Sequence, residues 1–277
     1  MVVTHAGELG GAEIALLRLL TALDRSSWDV EVLTFTDGPV VARLHDEEVP
    51  VTVVDGGDVT RVSRSGAAHL AAGMRFARPT LGLARQVRDH LRERSADLVV
   101  ANSLKAAVVV AASAPMSRTP WVWHLHDRLA SDYLPWPART GLRRLAAVAP
   151  RAIVANSAAT LATLPRRARA RASVAYPGVE SRLLERERVE PEHPVVGIVG
   201  RLSATKGQLE FLDAAARVAR LRDDARFVVV GEAMFGDGEY GERVDEAATA
   251  AVLAGRVALR GWSDDPAGEM SAMSVVV

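Results

Sequence analysis

Short apolar runs alternate along this chain with stretches in which apolar positions recur every three or four residues. Residues 2–4, 28–34, 49–54, 97–101, 120–125, 152–155 and 173–176 read as strands. So do 195–199, 227–230, 257–260 and, at the end, 271–277. Between them lie helical patterns. Residues 12–23 carry Ile14, Leu17 and Leu20 on one face, with Leu16 and Leu23 on its flank. Residues 81–94 turn Leu83, Val87 and Leu91 inward, and 208–220 pack through Leu209, Leu212, Ala216 and Ala219. Shorter helices are expected over 39–47, 104–112, 142–148, 158–164 and 243–253. Strands that alternate with helices predict parallel βαβ units, an α/β architecture. The run 195–199 is apolar without alternation, as in a strand buried on both faces.

The pattern breaks at Pro177-Gly178-Val179. Residues 180–194 then carry five Glu and two Pro, the composition of a linker. Two domains follow, 1–178 and 194–277, joined by 179–193. A length of 277 residues agrees with two. A chain 49% hydrophobic and 25% charged has the composition of a soluble globular protein. It has no cysteine, which excludes disulfides and cysteine metal sites. Its apolar stretches are far shorter than the roughly 18–20 residues that span a bilayer. The opening MVVTHAGE has neither a basic nor an apolar leader segment, so a cytoplasmic location is expected.

Zero net charge hides an asymmetry. Residues 1–178 hold 22 basic and 16 acidic side chains, and 179–277 hold 12 and 18. Between Asp58 and Asp89 lie six arginines and no carboxylate, interleaved with Leu70, Met74 and Phe76 and punctuated by Pro79 and Gly82. Two readings stand side by side. One is a solvated connector. The other is a face for an anionic acceptor or for peripheral contact with the inner side of a membrane.

The densest chemistry lies in 195–208, VVGIVGRLSATKGQ. A strand stops at Gly200, a loop carries Arg201 and Lys206, and a helix begins at once. Exposed backbone N–H groups and the helix dipole make such a loop an anion site. Of 34 basic residues only Lys105 and Lys206 are lysines, so a compact point charge stands where a phosphate would need one. Gly10-Gly11 precede the first helix, where backbone can approach a ligand. His124, His126 and Asp127 cluster at one strand end, which in parallel sheets is where ligands bind. Alternation puts both imidazoles on one side, and Asp127 can orient a neighbouring ring. The other reading has one histidine simply packed and the other solvated, and no third convergent ligand for a metal is visible. Trp121, Trp123, Tyr133 and Trp136 near that strand are either core or a platform for a flat group. Ser157 is placed to cap the helix that follows Asn156. The literal G-x-G-x-x-G at 236–241 lies too far past its strand, among Asp237, Glu239 and Glu242, to hold a pyrophosphate. It is expected to be a loop.

In this order the pieces resemble the retaining glycosyltransferases of family 4, which have the GT-B fold of two Rossmann-like domains. The matching residues are Gly10-Gly11-Ala12-Glu13, His126-Asp127, Asn156-Ser157 and Tyr176-Pro177-Gly178-Val179. Val199-Gly200-Arg201-Leu202 with Lys206-Gly207, Val230-Gly231-Glu232 and Arg260-Gly261-Trp262 complete the set. The resemblance implies a nucleotide-diphosphate sugar held between the two domains and transferred with retention to a carbohydrate, lipid-linked or natural-product acceptor. Arg201 and Lys206 would neutralise the leaving diphosphate, and His126 would act on the sugar. Gly10, Gly11 and Asp127 would line donor or acceptor, and Trp262 the nucleotide base. No metal, no cofactor and no nucleic acid are implied. The family's E-x7-E segment, which follows the strand beginning near Ser274, has no counterpart before Val277. The second domain is therefore expected to be incomplete. The other reading of that gap is a non-catalytic relative that binds a partner or an anionic surface.

Overall fold

The computed structural model describes residues 1–277 except 6, 58, 60–68, 186, 188–189 and 235. The chain forms two compact units, Met1–Val179 and Glu180–Val277.

The first unit is built on a seven-stranded sheet. Its strands are β1 (Val2–Thr4), β2 (Val32–Thr34), β3 (Val51–Val53), β4 (Val99–Ala101), β5 (Trp121–Leu125), β6 (Ala152–Ala155) and β7 (Ala172–Val174). They run in the order β3-β2-β1-β4-β5-β6-β7, every pair parallel. The order reverses beside β1, the switch point at which such sheets open a crevice. The helices are α1 (Gly11–Ala22), α2 (Pro39–Asp46), α3 (His69–Glu93), α4 (Leu104–Ser117), α5 (Trp136–Val148), α6 (Ala158–Ala162) and α7 (Arg166–Arg169). One face packs Val3, Leu33, Val99, Trp123 and Ile153 against Leu83, Val87, Leu91 and Val110. The other packs Val2 and Val32 against Leu16, Leu20, Val40 and Leu44.

Three local expectations are corrected here. In α1 the buried apolar residues are Leu16 and Leu20, while Ile14 and Leu17 are only half-buried. Leu20 is buried on the face where periodicity placed it, and Leu16, placed at the flank, is buried with it in place of Ile14 and Leu17. The helix α3 does not begin at 81 but at His69, and it runs through Pro79 and Gly82. A mid-helix proline costs roughly 3 kcal/mol, and burial of Leu83, Val87 and Leu91 one to three turns later outweighs it. The helix expected over 142–148 begins six residues earlier, at Trp136. Pro135 caps α5 and Pro137 sits in its first turn, where a missing N–H leaves no helical bond unmade. Of the basic stretch 58–89, Asp58, Arg61 and Arg64 lie outside the described residues.

The second unit carries a parallel sheet of β8 (Val195–Val199), β9 (Arg226–Val230), β10 (Val257–Leu259) and β11 (Val275–Val276), ordered β10-β9-β8-β11. Its helices are α8 (Ser181–Leu184), within the stretch read as linker, α9 (Gln208–Ala219), α10 (Gly238–Ala248) and α11 (Pro266–Ser271). Phe211, Leu212, Ala215 and Val244 cover one face through Ile198, Phe227 and Val229. On the other face Val228 and Val230 meet Met273, with Val195 and Val199 beside them. That thinner cover leaves β8 half-buried at Val195, Val196 and Val199, not buried throughout. The G-x-G-x-x-G run is not a loop. Gly238 and Gly241 lie in the first turn of α10, and the Tyr240 hydroxyl accepts a bond from the Leu209 N–H at 3.2 Å. Among the described residues no helix is long and apolar enough to cross a membrane.

Candidate functional site

Each unit gathers its polar chemistry at the carboxyl ends of its strands. In the first unit, alternation along β5 sends Trp121, Trp123 and Leu125 into the core and leaves His124 half-buried. The chain leaves the strand at His126, and the two imidazoles lie 4.1 Å apart between ring centres. The Trp121 and Trp123 rings are 4% and 0% exposed. They are core and offer no platform to a ligand.

His126 is held from both sides. Its Nε2 stands 3.0 Å from Oδ1 of Asn102, a fully buried residue just past β4. The Asn102 amide nitrogen is turned to the Ala12 carbonyl at 3.5 Å, so the oxygen faces His126. The network makes Nε2 the donor and leaves Nδ1 as an acceptor. On the backbone side, Asn156 donates to the His126 carbonyl at 3.0 Å and accepts from the Thr160 hydroxyl at 2.8 Å. Ser157 caps α6 by accepting from the Thr160 N–H. Burial pushes the His126 imidazole down to about 4, and burial with the neighbouring ring does the same to His124. Both are neutral at physiological pH.

Asp127 accepts a hydrogen bond from the Tyr133 hydroxyl. The residue that orients the His126 ring through Nε2 is Asn102, which sequence reasoning passed over as the end of a strand. Gly10 caps α1 in extended conformation, and Gly11 opens it, exposed, with space where a side chain would stand. Through Asn102 this glycine turn and His126 share one edge of the sheet.

In the second unit three adjacent strand ends are closed by glycine. The Gly200 N–H donates to the Val230 carbonyl, and the Gly231 N–H to the Gly261 carbonyl at 2.7 Å. Gly231 sits at φ 137°, and a β-carbon on it would lie 2.1 Å from the Gly200 oxygen, so nothing larger fits. The loop that follows β8 is fastened from beneath by Gln208, fully buried. Its amide donates to the Gly200 and Arg201 carbonyls at 3.3 and 3.0 Å, and its oxygen accepts from the Ser203 N–H at 3.3 Å. This buried glutamine also escaped sequence reasoning, which read it only as the first helical residue. Above it Lys206 is exposed, one residue before the left-handed Gly207 that caps α9. Arg201 reaches Asp237 at 3.1 Å. Trp262 is 37% exposed; its backbone N–H donates to Glu232 at 3.2 Å and its indole to Asp264 at 3.3 Å. Arg201, Lys206 and Trp262 thus share one edge of this sheet. Among the described residues no cluster of three or more His, Asp or Glu side chains is placed to hold a metal ion.

Residues 9–183 match the model of a family described as Glycosyltransferase Family 4, and residues 193–277 match Glycosyl transferases group 1. No curated protein matches. Among solved structures, Anabaena HepE in complex with UDP-glucose superposes with a TM-score of 0.77 at 24% identity, over 99% of this chain and 72% of that one. Sucrose-phosphate synthase from Thermosynechococcus elongatus gives 0.74 at 15% identity, over 98% and 73%. The lipopolysaccharide outer core galactosyltransferase WaaB gives 0.62 at 17%, over 99% and 72%. The α/β architecture is that of the GT-B glycosyltransferases.

Proposed function

The chain belongs to glycosyltransferase family 4, and from that premise we propose that it moves a sugar from a nucleoside diphosphate to an acceptor with retention at the anomeric carbon. The observation that carries the reading is the loop 200–207. Its backbone is closed by glycines and Gln208, and it presents Lys206 to solvent at the start of α9. Transfer breaks the bond between the sugar and the diphosphate and leaves new negative charge on a phosphate oxygen. Lys206, Arg201 and the α9 N-terminus stabilise that charge most where it is greatest, in the transition state. Trp262 flanks the base. On the first unit, neutral His126 accepts a sugar hydroxyl at Nδ1 and adds no charge that would oppose a developing cationic sugar. Asp127 and the Gly10-Gly11 turn contribute polar and backbone contacts on the same edge.

HepE binds UDP and UDP-glucose, which makes a uridine donor the first to try. Calorimetric titration with UDP-, GDP- and ADP-sugars tests the reading. One of them is expected to bind, and Lys206→Ala to weaken it at least tenfold. Absence of binding by all of them would overturn the proposal. Binding without transfer to any acceptor would leave a nucleotide-binding module without catalysis.

A further inference from the structure

The positive balance of the first unit has one source. Residues 133–179 contain eight arginines and not one Asp or Glu. Residues 1–132 carry 14 basic and 16 acidic side chains, so all of the excess arises here. This stretch folds next to the His126 edge. A cavity of about 600 Å³ is lined by Leu129, Ala130 and Ser131, just past Asp127, by one face of α5, and by Thr163 and Pro165. The α5 face supplies Arg139 and Thr140 and, one turn on, Arg143 and Arg144, so all four lie on one side of the helix.

The lining combines three arginines and the hydroxyl residues Ser131, Thr140 and Thr163 with apolar Leu129, Ala130, Ala147 and Pro165. Among the described residues no carboxylate lines the cavity or pairs with Arg139, Arg143 or Arg144. Arg143 donates to the carbonyl of Thr163, itself a lining residue. Asp132, which follows Ser131 in the chain, is held by Arg128 at 2.9 Å. Uncompensated guanidinium groups on a rigid helix beside hydroxyls are the arrangement that grips a phosphate with paired N–H donors. The space exceeds what a phosphate fills, so the group it belongs to has room as well.

We propose that this cavity binds the phosphate or diphosphate group of the acceptor, and hence that the acceptor is a phosphorylated molecule. The inference rests on the reading of the chain as a glycosyltransferase, in which Lys206 and Arg201 of the other unit take the donor diphosphate. The acceptor phosphate has its own arginines, on the unit that carries His126.

Titration of the intact chain with inorganic pyrophosphate tests this apart from catalysis. Two classes of site are expected. Arg139→Gln with Arg144→Gln weakens one of them by tenfold or more, as loss of charged hydrogen bonds does, and Lys206→Ala weakens the other. The charge-keeping pair Arg139→Lys with Arg144→Lys retains most of the binding, which separates lost charge from lost fold. An unchanged titration in the glutamine pair overturns the inference. Loss in the glutamine pair with no effect of Lys206→Ala upholds it and overturns the donor clamp instead. Phosphatidylglycerol vesicles supply the last arm. If they bind the native chain and not the glutamine pair, while pyrophosphate binds both alike, the cavity faces a membrane surface and the inference fails.

Discussion

The two strand-end edges solve opposite electrostatic problems. At the edge of the first unit the imidazoles of His124 and His126 are half-buried, tilted against each other at 49° and neutral, and the partner that orients His126 is a fixed amide, Asn102. At the edge of the second unit the cation of Lys206 is exposed, and only the backbone beneath it is buried and fastened. One edge keeps its two imidazoles free of positive charge by desolvation. The other keeps charge available by leaving it in water and immobilising what carries it. The transfer proposed above uses both, since a full positive charge beside the sugar would oppose the carbon that becomes cationic.

The contrast can be broken at its strongest point. Lys206→Ala is expected to lower kcat by about 10²–10³, the scale of a lost transition-state donor, with the unfolding midpoint nearly unchanged because the side chain is exposed. Turnover within threefold of native would mean that the charge of this edge resides elsewhere.

The next effect is on the backbone beneath. Gly231→Ala places a β-carbon against the Gly200 oxygen at a φ of 137°, so a loss of about 3 kcal/mol in urea unfolding is expected. Donor affinity should fall with it. A native urea midpoint would show that the strand ends have room to part.

The smallest effect sharpens the other edge. Each imidazole titrates near 4 in the fold and near 6.5 unfolded. Between those values only the unfolded chain takes up the proton. Stability is therefore whole above pH 6.5 and declines as pH falls toward 4. At pH 5 the loss is at most about 2 kcal/mol per imidazole. His124→Phe should flatten the decline between pH 6.5 and 4.5 by roughly half, read from urea midpoints. An unaltered slope would place the acid sensitivity in other groups.

What could be read in the sequence was what periodicity encodes locally. The parallel strand-and-helix order and the loop around Lys206 follow from residues within a few positions of one another. The errors share a cause. Pro79 and Pro135 are breakers by local rule, and tertiary burial overrode the first while a helix start absorbed the second. The partners of the site residues were not legible for a related reason. Asn102 meets His126 from 24 positions away, and Asp237 meets Arg201 across two strand ends. Such pairs are fixed by sheet order, which no window along the chain contains. Gln208 was within that window, but a buried amide clamp and an ordinary helical glutamine look alike until burial is known.

The lysine content has a practical consequence. Lys105 lies in the helix Leu104–Ser117, half-buried, whereas Lys206 stands exposed among Ala204 and Thr205 in a turn. A lysine-specific endoprotease needs an accessible side chain, and an exposed turn supplies one where a half-buried position in a packed helix does not. Native protein should therefore be nicked first after Lys206, yielding two fragments of unequal size. A nucleotide sugar seated on that loop would slow the cut, so the rate at which the chain falls in two becomes a direct gauge of occupancy.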